Sequence, residues 1–278
     1  MTQPSRPGGV DPSDALVSFT APASLEADQY RGMRHIVEGM NRDSNLQVFA
    51  MTSPSSGEGK TVTTLNLAGS LAQSPDARVL VIDADLHRPS VANYLGMDRY
   101  QSPGLIDLIA RDGPGLDDAA ARIDELNLSV LLSGRYEAGA YELLNSRKLD
   151  TILEEARGRF DYVLVDTPPL MPLPDCRLIG RCVDGFFLVV AAHRTTRRAL
   201  AEALTLIDRT KLIGTVFNGD DQPLQRYSAY YAYSQPAAMA GRPRPQTAWW
   251  RKFMKERGER NTAGVIPDIP PGHNVPRF

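Results

Sequence analysis

The stretch Thr52-Ser53-Pro54-Ser55-Ser56-Gly57-Glu58-Gly59-Lys60-Thr61 has the residue types and spacing to handle a phosphate. Gly57 and Gly59 let backbone N–H groups turn inward around an anion, which the positive end of a following helix also favours. Lys60 supplies a mobile charge for outer phosphates, and the Thr61 hydroxyl suits Mg²⁺. Pro54 stands where the first glycine of the general pattern usually does. Two elements must position this loop. The apolar run Leu46 to Met51 reads as a buried parallel strand before it. Val62 to Gln73, with Leu65, Leu67, Ala68, Leu71 and Ala72 at helical spacing, reads as the helix after it. Strand, glycine-bearing loop and helix together specify a nucleotide site.

Three further acids end apolar runs. Arg78 to Ile82 reads as a strand leading into Asp83-Ala84-Asp85, and Tyr162 to Val165 as one leading into Asp166. Carboxylates two apart at a strand end point roughly the same way, and the C-terminal edge of a parallel sheet faces the ligand crevice. Asp83 and Asp85 therefore suit Mg²⁺ or proton transfer, although one of them could serve as a turn or helix cap. Asp166 fits a Walker B acid that reaches Mg²⁺ directly or through water. Asn218 ends a later strand on the same edge; its amide suits either adenine or a structural cap.

The frame around these residues alternates strand and helix. Short helices are expected over Leu105–Ala110 and Leu116–Leu126, a strand over Leu128–Leu132, and a helix or helix pair over Glu142–Arg157. Val183–Ala192 and Leu212–Phe217 read as strands, with a helix over Thr195–Arg209 between them. The fold class is therefore α/β: a mostly parallel sheet covered by helices on both faces, carrying a P-loop of the deviant Walker type, with flexible N- and C-terminal tails. The expected division is a disordered segment over 1–23, the P-loop domain over 24–221 and a flexible tail over 222–278. Ser24 is the expected N-cap of a helix whose apolar stripe is Leu25, Tyr30, Met33, Ile36, Val37 and Met40. Asp28, Arg31 and Arg34 share one face of that helix, which spacing alone reads as an exposed ion-pair ladder.

A hydrophobic content of 42% and a charged content of 23% are those of a soluble globular protein. A net charge of −2 argues against a dedicated nucleic-acid binder. Cys176 and Cys182 match neither a disulfide scaffold nor a zinc site, so two buried, reduced thiols in the cytosol are expected. The N-terminus has no signal-peptide core, and the longest apolar run, Phe186 to Ala192, is too short to span a bilayer. Beyond Asp221 the composition changes: Tyr227, Tyr230, Tyr231 and Tyr233 crowd one segment, and Pro236, Pro243 and Pro245 interrupt the chain after it. Trp249, Trp250, Phe253 and Met254 lie among Arg251, Lys252, Lys255 and Arg257. That cluster suits either a membrane surface or a partner.

The combination resembles the bacterial tyrosine autokinases (BY-kinases) of capsule and exopolysaccharide systems, over roughly Ser24 to Tyr233. Ser53 to Thr61 matches their Walker A, Val79 to Leu86 their second acidic motif (Walker A′), and Val163 to Pro169 their Walker B; the tyrosine cluster completes the match. The related cell-division and partition ATPases usually carry an extra lysine where this chain has Ser55, and lack the tyrosines. Two departures stand out. His87 occupies the place of the family's arginine in the second acidic motif, and Asp28 shortens the acid of its N-terminal oligomerisation pattern, which Arg31 and Arg34 otherwise follow.

The resemblance implies ATP and Mg²⁺ as cofactors and γ-phosphoryl transfer to tyrosine. Ser55, Ser56, Gly57, Glu58, Gly59, Lys60, Thr61, Val62 and Asn218 would bind nucleotide. Thr61, Asp83 and Asp166 would hold the metal, and Lys60, Asp83 and Asp85 would be catalytic, with Asp83 taking the tyrosine proton. Tyr227, Tyr230, Tyr231 and Tyr233 would accept phosphate from a neighbouring subunit, with Asp28, Arg31 and Arg34 in the subunit interface. The implied partners are the chain's own copies and a membrane-embedded chain-length-determinant protein. Its implied place is cytoplasmic, peripheral to the inner membrane. A partition-type ATPase switch and a non-catalytic assembly module are the competing readings.

Overall fold

The buried strands read as unbroken apolar runs because both faces of their sheet are covered, so alternate side chains feed two different cores. A computed structural model describes residues 10–97, 103–110, 115–135, 144–145, 147–171 and 175–220. All of these belong to one unit, Met1–Gln222. Its strands are β1 (Val48–Thr52), β2 (Val79–Asp83), β3 (Ala121–Ile123), β4 (Leu128–Leu131), β5 (Tyr162–Asp166), β6 (Gly185–Ala191) and β7 (Leu212–Asn218). They form one sheet in the order β3-β4-β2-β5-β1-β6-β7. Every pairing is parallel except that of the edge strand β3 with β4.

The two cores follow the alternation. Ala50, Leu80, Ile82, Val163, Val165 and Leu188 face the helices Leu105–Ala110, Arg147–Arg159, Asp175–Cys182 and Arg197–Leu204. Phe49, Met51, Val79, Val81, Leu164 and Phe187 face Leu25–Ser44, Lys60–Ala72 and Val91–Leu95. The Lys60–Ala72 helix is buried almost all round, which a central phosphate-loop helix in a layered fold requires. Truncating Phe49, fully buried at the centre, would cost about 3–5 kcal/mol.

Sequence and structure differ in four places. Residues 10–22, expected to be disordered, pack on the phosphate-loop helix: Leu16 is fully buried, Ser18 N–H donates to Asn66 Oδ1 at 2.9 Å, and Phe19 lies against Gly69. The Pro/Ser-rich composition hid these two apolar anchors. Leu116–Leu126 is not one helix but a turn of helix (Leu116–Ala119), the antiparallel edge strand β3 and a 3-10 turn (Asp124–Leu126). On the Leu25–Ser44 helix, Ser24 accepts from Ala27 N–H as an N-cap should, yet Leu25 and Ile36 face solvent. The inward stripe runs instead through Ala27, Met33, Val37 and Met40. Phe217, on the edge strand β7, is 68% exposed, so cover on that margin is incomplete.

Candidate active site

The site is assembled by strand register. β5 lies between β1 and β2, and Asp83 pairs in register with Asp166, placing the two carboxylates side by side at the C-terminal edge. The phosphate loop leaves β1 on the same edge. Gly57 (φ 79°) and Gly59 (φ 92°) take left-handed conformations that a side chain would strain, and a Cβ on Gly59 would collide with the Asn218 amide. This is why glycines stand there.

Lys60 crosses the site to Asp85, with Nζ 2.8 Å from Oδ2. Thr61 donates its hydroxyl to Asp166 Oδ2 at 2.6 Å and lies 3.0 Å from Ser90 Oγ. Asp83 accepts N–H bonds from Ser90 (3.0 Å) and Val91 (3.1 Å) on Oδ2, and a longer one from Asp85 N–H (3.3 Å) on Oδ1. It therefore lies beside Asp166 and also accepts from the first N–H groups of the Val91–Leu95 helix, as the turn or cap alternative expected. Asp83, Asp85 and Asp166 are 1%, 2% and 0% exposed, against a single lysine, Lys60, at 8%. Three buried carboxylates with one buried ammonium leave an excess of negative charge.

The proton affinities record that excess. Burial, then the Asp166 charge, pushes Asp83 up to about 8, against the opposing N–H bonds from Val91 and Ser90. Burial likewise pushes Asp166 up to about 6, with Lys60 and the Thr61 hydroxyl pulling the other way. For Lys60 burial alone would lower the value, but Asp166, Asp85 and Asp83 together raise it, so the ammonium stays charged. Beneath the loop, Cys176 Sγ lies 3.2 Å from Thr52 Oγ1 and 3.5 Å from Thr167 Oγ1. Burial raises this thiol, so it is an inert packing group. Both cysteines are free thiols, but only Cys176 is buried as expected; Cys182, at the end of its helix, is half-buried.

The donor set fits Mg²⁺. A hydroxyl and two carboxylates are hard oxygen donors, and Mg²⁺ commonly takes one or two carboxylates and completes its shell with water and phosphate. Among the described residues no group of three His, Cys, Asp or Glu side chains is placed to hold a metal ion.

Some expected site residues sit elsewhere than anticipated. The Glu58 carboxylate turns away from the loop's cavity, accepting from Ser55 N–H at 3.1 Å, Ala191 N–H at 3.2 Å and Thr195 Oγ1 at 2.8 Å. Only its backbone N–H remains suited to phosphate. The Asn218 amide donates to Glu58 O at 2.9 Å. His87, in place of the family's arginine, contacts the buried Asp175 at 2.6 Å. Asp28 pairs with Arg31, which also reaches Pro22 O, while Arg34 bonds Glu38 and Ser70 O within the same subunit. The motifs did not point to Ser90, Asp175 and Arg194; none belongs to a motif, and only the fold brings them here. Tyr227, Tyr230, Tyr231, Tyr233 and the segment from Trp249 to Arg257 lie outside the described residues.

A glycine-shaped phosphate loop facing paired acids at the C-terminal edge of a parallel sheet defines a P-loop ATPase fold of the deviant Walker type. A family model described as an AAA domain matches residues 46–178. Tyrosine-protein kinase YwqD of Bacillus subtilis is 32% identical over 220 residues, covering 78% of this chain and 90% of that protein. Succinoglycan biosynthesis transport protein ExoP of Rhizobium meliloti is 30% identical over 220 residues, which are 76% of this chain but 27% of ExoP. Among solved structures, the BceF tyrosine kinase domain superposes with a TM-score of 0.66 at 32% identity, covering 73% of this chain and 81% of that one. The chain belongs to the bacterial tyrosine-protein kinase family and is a protein-tyrosine kinase.

Proposed function

We propose that this kinase transfers the γ-phosphoryl group of ATP to its own tail tyrosines, Tyr227, Tyr230, Tyr231 and Tyr233, mainly between subunits. The observation that carries this reading is the buried excess of carboxylate around Lys60, Thr61 and Asp166. ATP alone would worsen that charge, whereas a divalent cation shared between the carboxylates and the phosphates would offset part of it. Thr61, Asp166 and Asp83 would hold Mg²⁺, which when bound neutralises charge on the β- and γ-phosphate oxygens. Loop N–H groups from Ser56 to Val62 would cradle the phosphates, Ser55 N–H being held by the Glu58 carboxylate, and Lys60 would leave Asp85 to stabilise charge on the transferring group. Asp85 is thus the resting counter-ion of Lys60.

A tyrosine hydroxyl, with a pKa near 10, needs a base. Asp83, buried beside Asp166 at the ligand edge, would be that base in its ionised form. The hydroxyl proton passes to the Asp83 carboxylate, the phenolate oxygen bonds to the γ-phosphorus, and ADP leaves. From Asn218 the extended chain reaches at most roughly 30 Å by Tyr227, at about 3.3 Å per residue. That reach would serve a site in an adjacent subunit of a ring or dimer, and Pro223 would disfavour folding back. Each phosphate adds nearly two negative charges, which repel the tail from Asp83, Asp85 and Asp166 and loosen the assembly. Asp28, Arg31 and Arg34 would contribute to the subunit contact, although Arg34 is already engaged within its own subunit.

ExoP's name ties that relative to polysaccharide biosynthesis and transport. We extend this to a role for the present kinase in exopolysaccharide or capsule polymerisation, beside a membrane-embedded activator. Among the described residues no helix is long and apolar enough to cross a membrane, so such a partner would supply the membrane contact, aided by the segment from Trp249 to Arg257. The test mixes a Lys60→Met chain with an active chain whose four tail tyrosines are phenylalanine, in γ-labelled ATP. Label on the Lys60→Met tail supports transfer between subunits. Free phosphate without labelled protein points to a partition-type switch, and label confined to residues outside the tail removes the acceptor assignment.

A further inference from the structure

The Glu58 carboxylate is buried at 3% exposure and accepts from neutral donors: the backbone N–H groups of Ser55 and Ala191 and the Thr195 hydroxyl. A buried carboxylate is expensive unless the structure needs its bonds. Those bonds join the phosphate loop (Ser55, Glu58) to the turn that leaves β6 (Ala191, Thr195). The same turn makes a second contact: Arg194 NH1 donates to Gly57 O at 2.9 Å. Arg194 is presented by His193, a non-glycine residue at φ 60°, and a strained backbone at a functional edge marks a position held for a purpose. Gly57 itself sits at φ 79°, a conformation a free glycine loop would hold for only part of the time.

We propose that the Ala191–Thr195 turn is a clamp that pre-shapes the phosphate loop, with Arg194 and Thr195 as positioning residues for nucleotide binding. The inference rests on the reading of the loop as the ATP site. Arg194 grips the outward carbonyl of Gly57, so the inward N–H groups of the loop are set before nucleotide arrives. Glu58 fixes the other half of the loop through Ser55 N–H. The clamp acts on the loop backbone and not on the γ-phosphate, so it favours ADP and ATP alike. It also continues to the end of β7, where Ala192 N–H donates to Asn218 O at 2.8 Å and the Asn218 amide donates to Glu58 O at 2.9 Å. Loop shape and the end of β7 are thereby held by one set of contacts.

The test measures nucleotide affinity and steady-state phosphorylation for Arg194→Ala, Arg194→Lys, Thr195→Val and Lys60→Met in the full chain, using fluorescent ADP and ATP analogues. Arg194 is exposed, so its loss should leave the nucleotide-free Tm unchanged. Arg194→Ala should weaken ADP and ATP binding equally, about fivefold to tenfold, the worth of one ordinary hydrogen bond. KM for ATP should rise with it while kcat changes little, Thr195→Val should do the same, and lysine at 194 should restore part of the loss. Wild-type affinity in both Arg194→Ala and Thr195→Val overturns the clamp, as does a loss confined to ATP, which would mean a direct γ-phosphate contact. Lys60→Met separates the two readings: if it too binds nucleotide as wild type does, the ATP site is misplaced, whereas its failure beside an unaffected Arg194→Ala removes the clamp alone.

Discussion

At the C-terminal edge of the sheet Asp83 and Asp166 are held well above the ordinary carboxylate range, whereas at the N-terminal edge Asp161 and Asp184 are held below it. The residue type and the sheet are the same; the partners differ. Asp184 precedes β6, takes Arg157 in a bidentate pair at 2.7 Å and 2.7 Å, and accepts N–H bonds from Gln47 and Val48 at the start of β1. Burial would raise it, but these donors outweigh burial. Asp161 precedes β5 and takes the side chain and N–H of Arg78 at the start of β2, and these bonds lower it. Each lower acid staples two strand starts. The upper acids crowd together round one lysine, an arrangement that weakens the resting fold and is useful only once cations and phosphates arrive. On the proposed function, stability is concentrated at one edge and chemistry at the other.

The largest effect should come from the chemical edge. Lys60→Met should reduce phosphoryl transfer by at least about a hundredfold, with circular dichroism showing the fold intact. Nucleotide titration beside the kinase assay checks this, and unchanged turnover would break the comparison at its upper end. At the structural edge Asp184→Ala strands Arg157 and two strand N–H groups, and should cost about 3 kcal/mol, or roughly 8 °C in Tm. Activity per folded molecule should be unchanged.

The sign with pH follows from linkage. Asp184 is depressed in the folded protein, so its contribution is present above the unfolded carboxylate value. It is lost as pH falls through the lower folded value. Wild-type and mutant melting curves should therefore converge in acid, below the ordinary carboxylate range, and differ most at neutral pH. The exposed pair Asp161–Arg78 sharpens the same contrast: Asp161→Ala should cost only about 0.5 kcal/mol, as solvent-screened pairs do. A loss as large as that at Asp184 would show that the staple acts through the backbone bond to Arg78 N–H.

Much of this architecture was legible because the buried strands announce themselves. Val79 to Ile82 and Tyr162 to Val165 are apolar runs of strand length, each delivering an acid to the ligand edge, and Gly57, Gly59, Lys60 and Thr61 carry their chemistry in their types. What stayed hidden depends on long-range neighbours. Glu58 meets Ala191 across 133 positions, and no local pattern reports where its carboxylate turns. Asp175 sits at the start of an ordinary helix, and only the fold brings it to His87. Leu16 and Phe19 form too short an apolar signal inside a Pro/Ser-rich stretch to outweigh composition. Asp161 and Asp184 did carry a signal, an acid directly before each of two buried strands, but it has no meaning until the strand order sets Arg78 and Arg157 beside them.

The most direct test of the division between edges is Asp83→Asn, followed by melting of the nucleotide-free protein across pH and by γ-phosphoryl transfer. A carboxylate raised on folding makes the folded protein bind more protons than the unfolded chain between about pH 4 and pH 8, so its ionisation destabilises the fold as pH rises. The account predicts that asparagine, which can still accept from Ser90 and Val91 N–H, raises Tm at pH 8, changes it little at pH 5, and abolishes transfer to tyrosine. A variant that is less stable at pH 8, or that still phosphorylates at the wild-type rate, would contradict it.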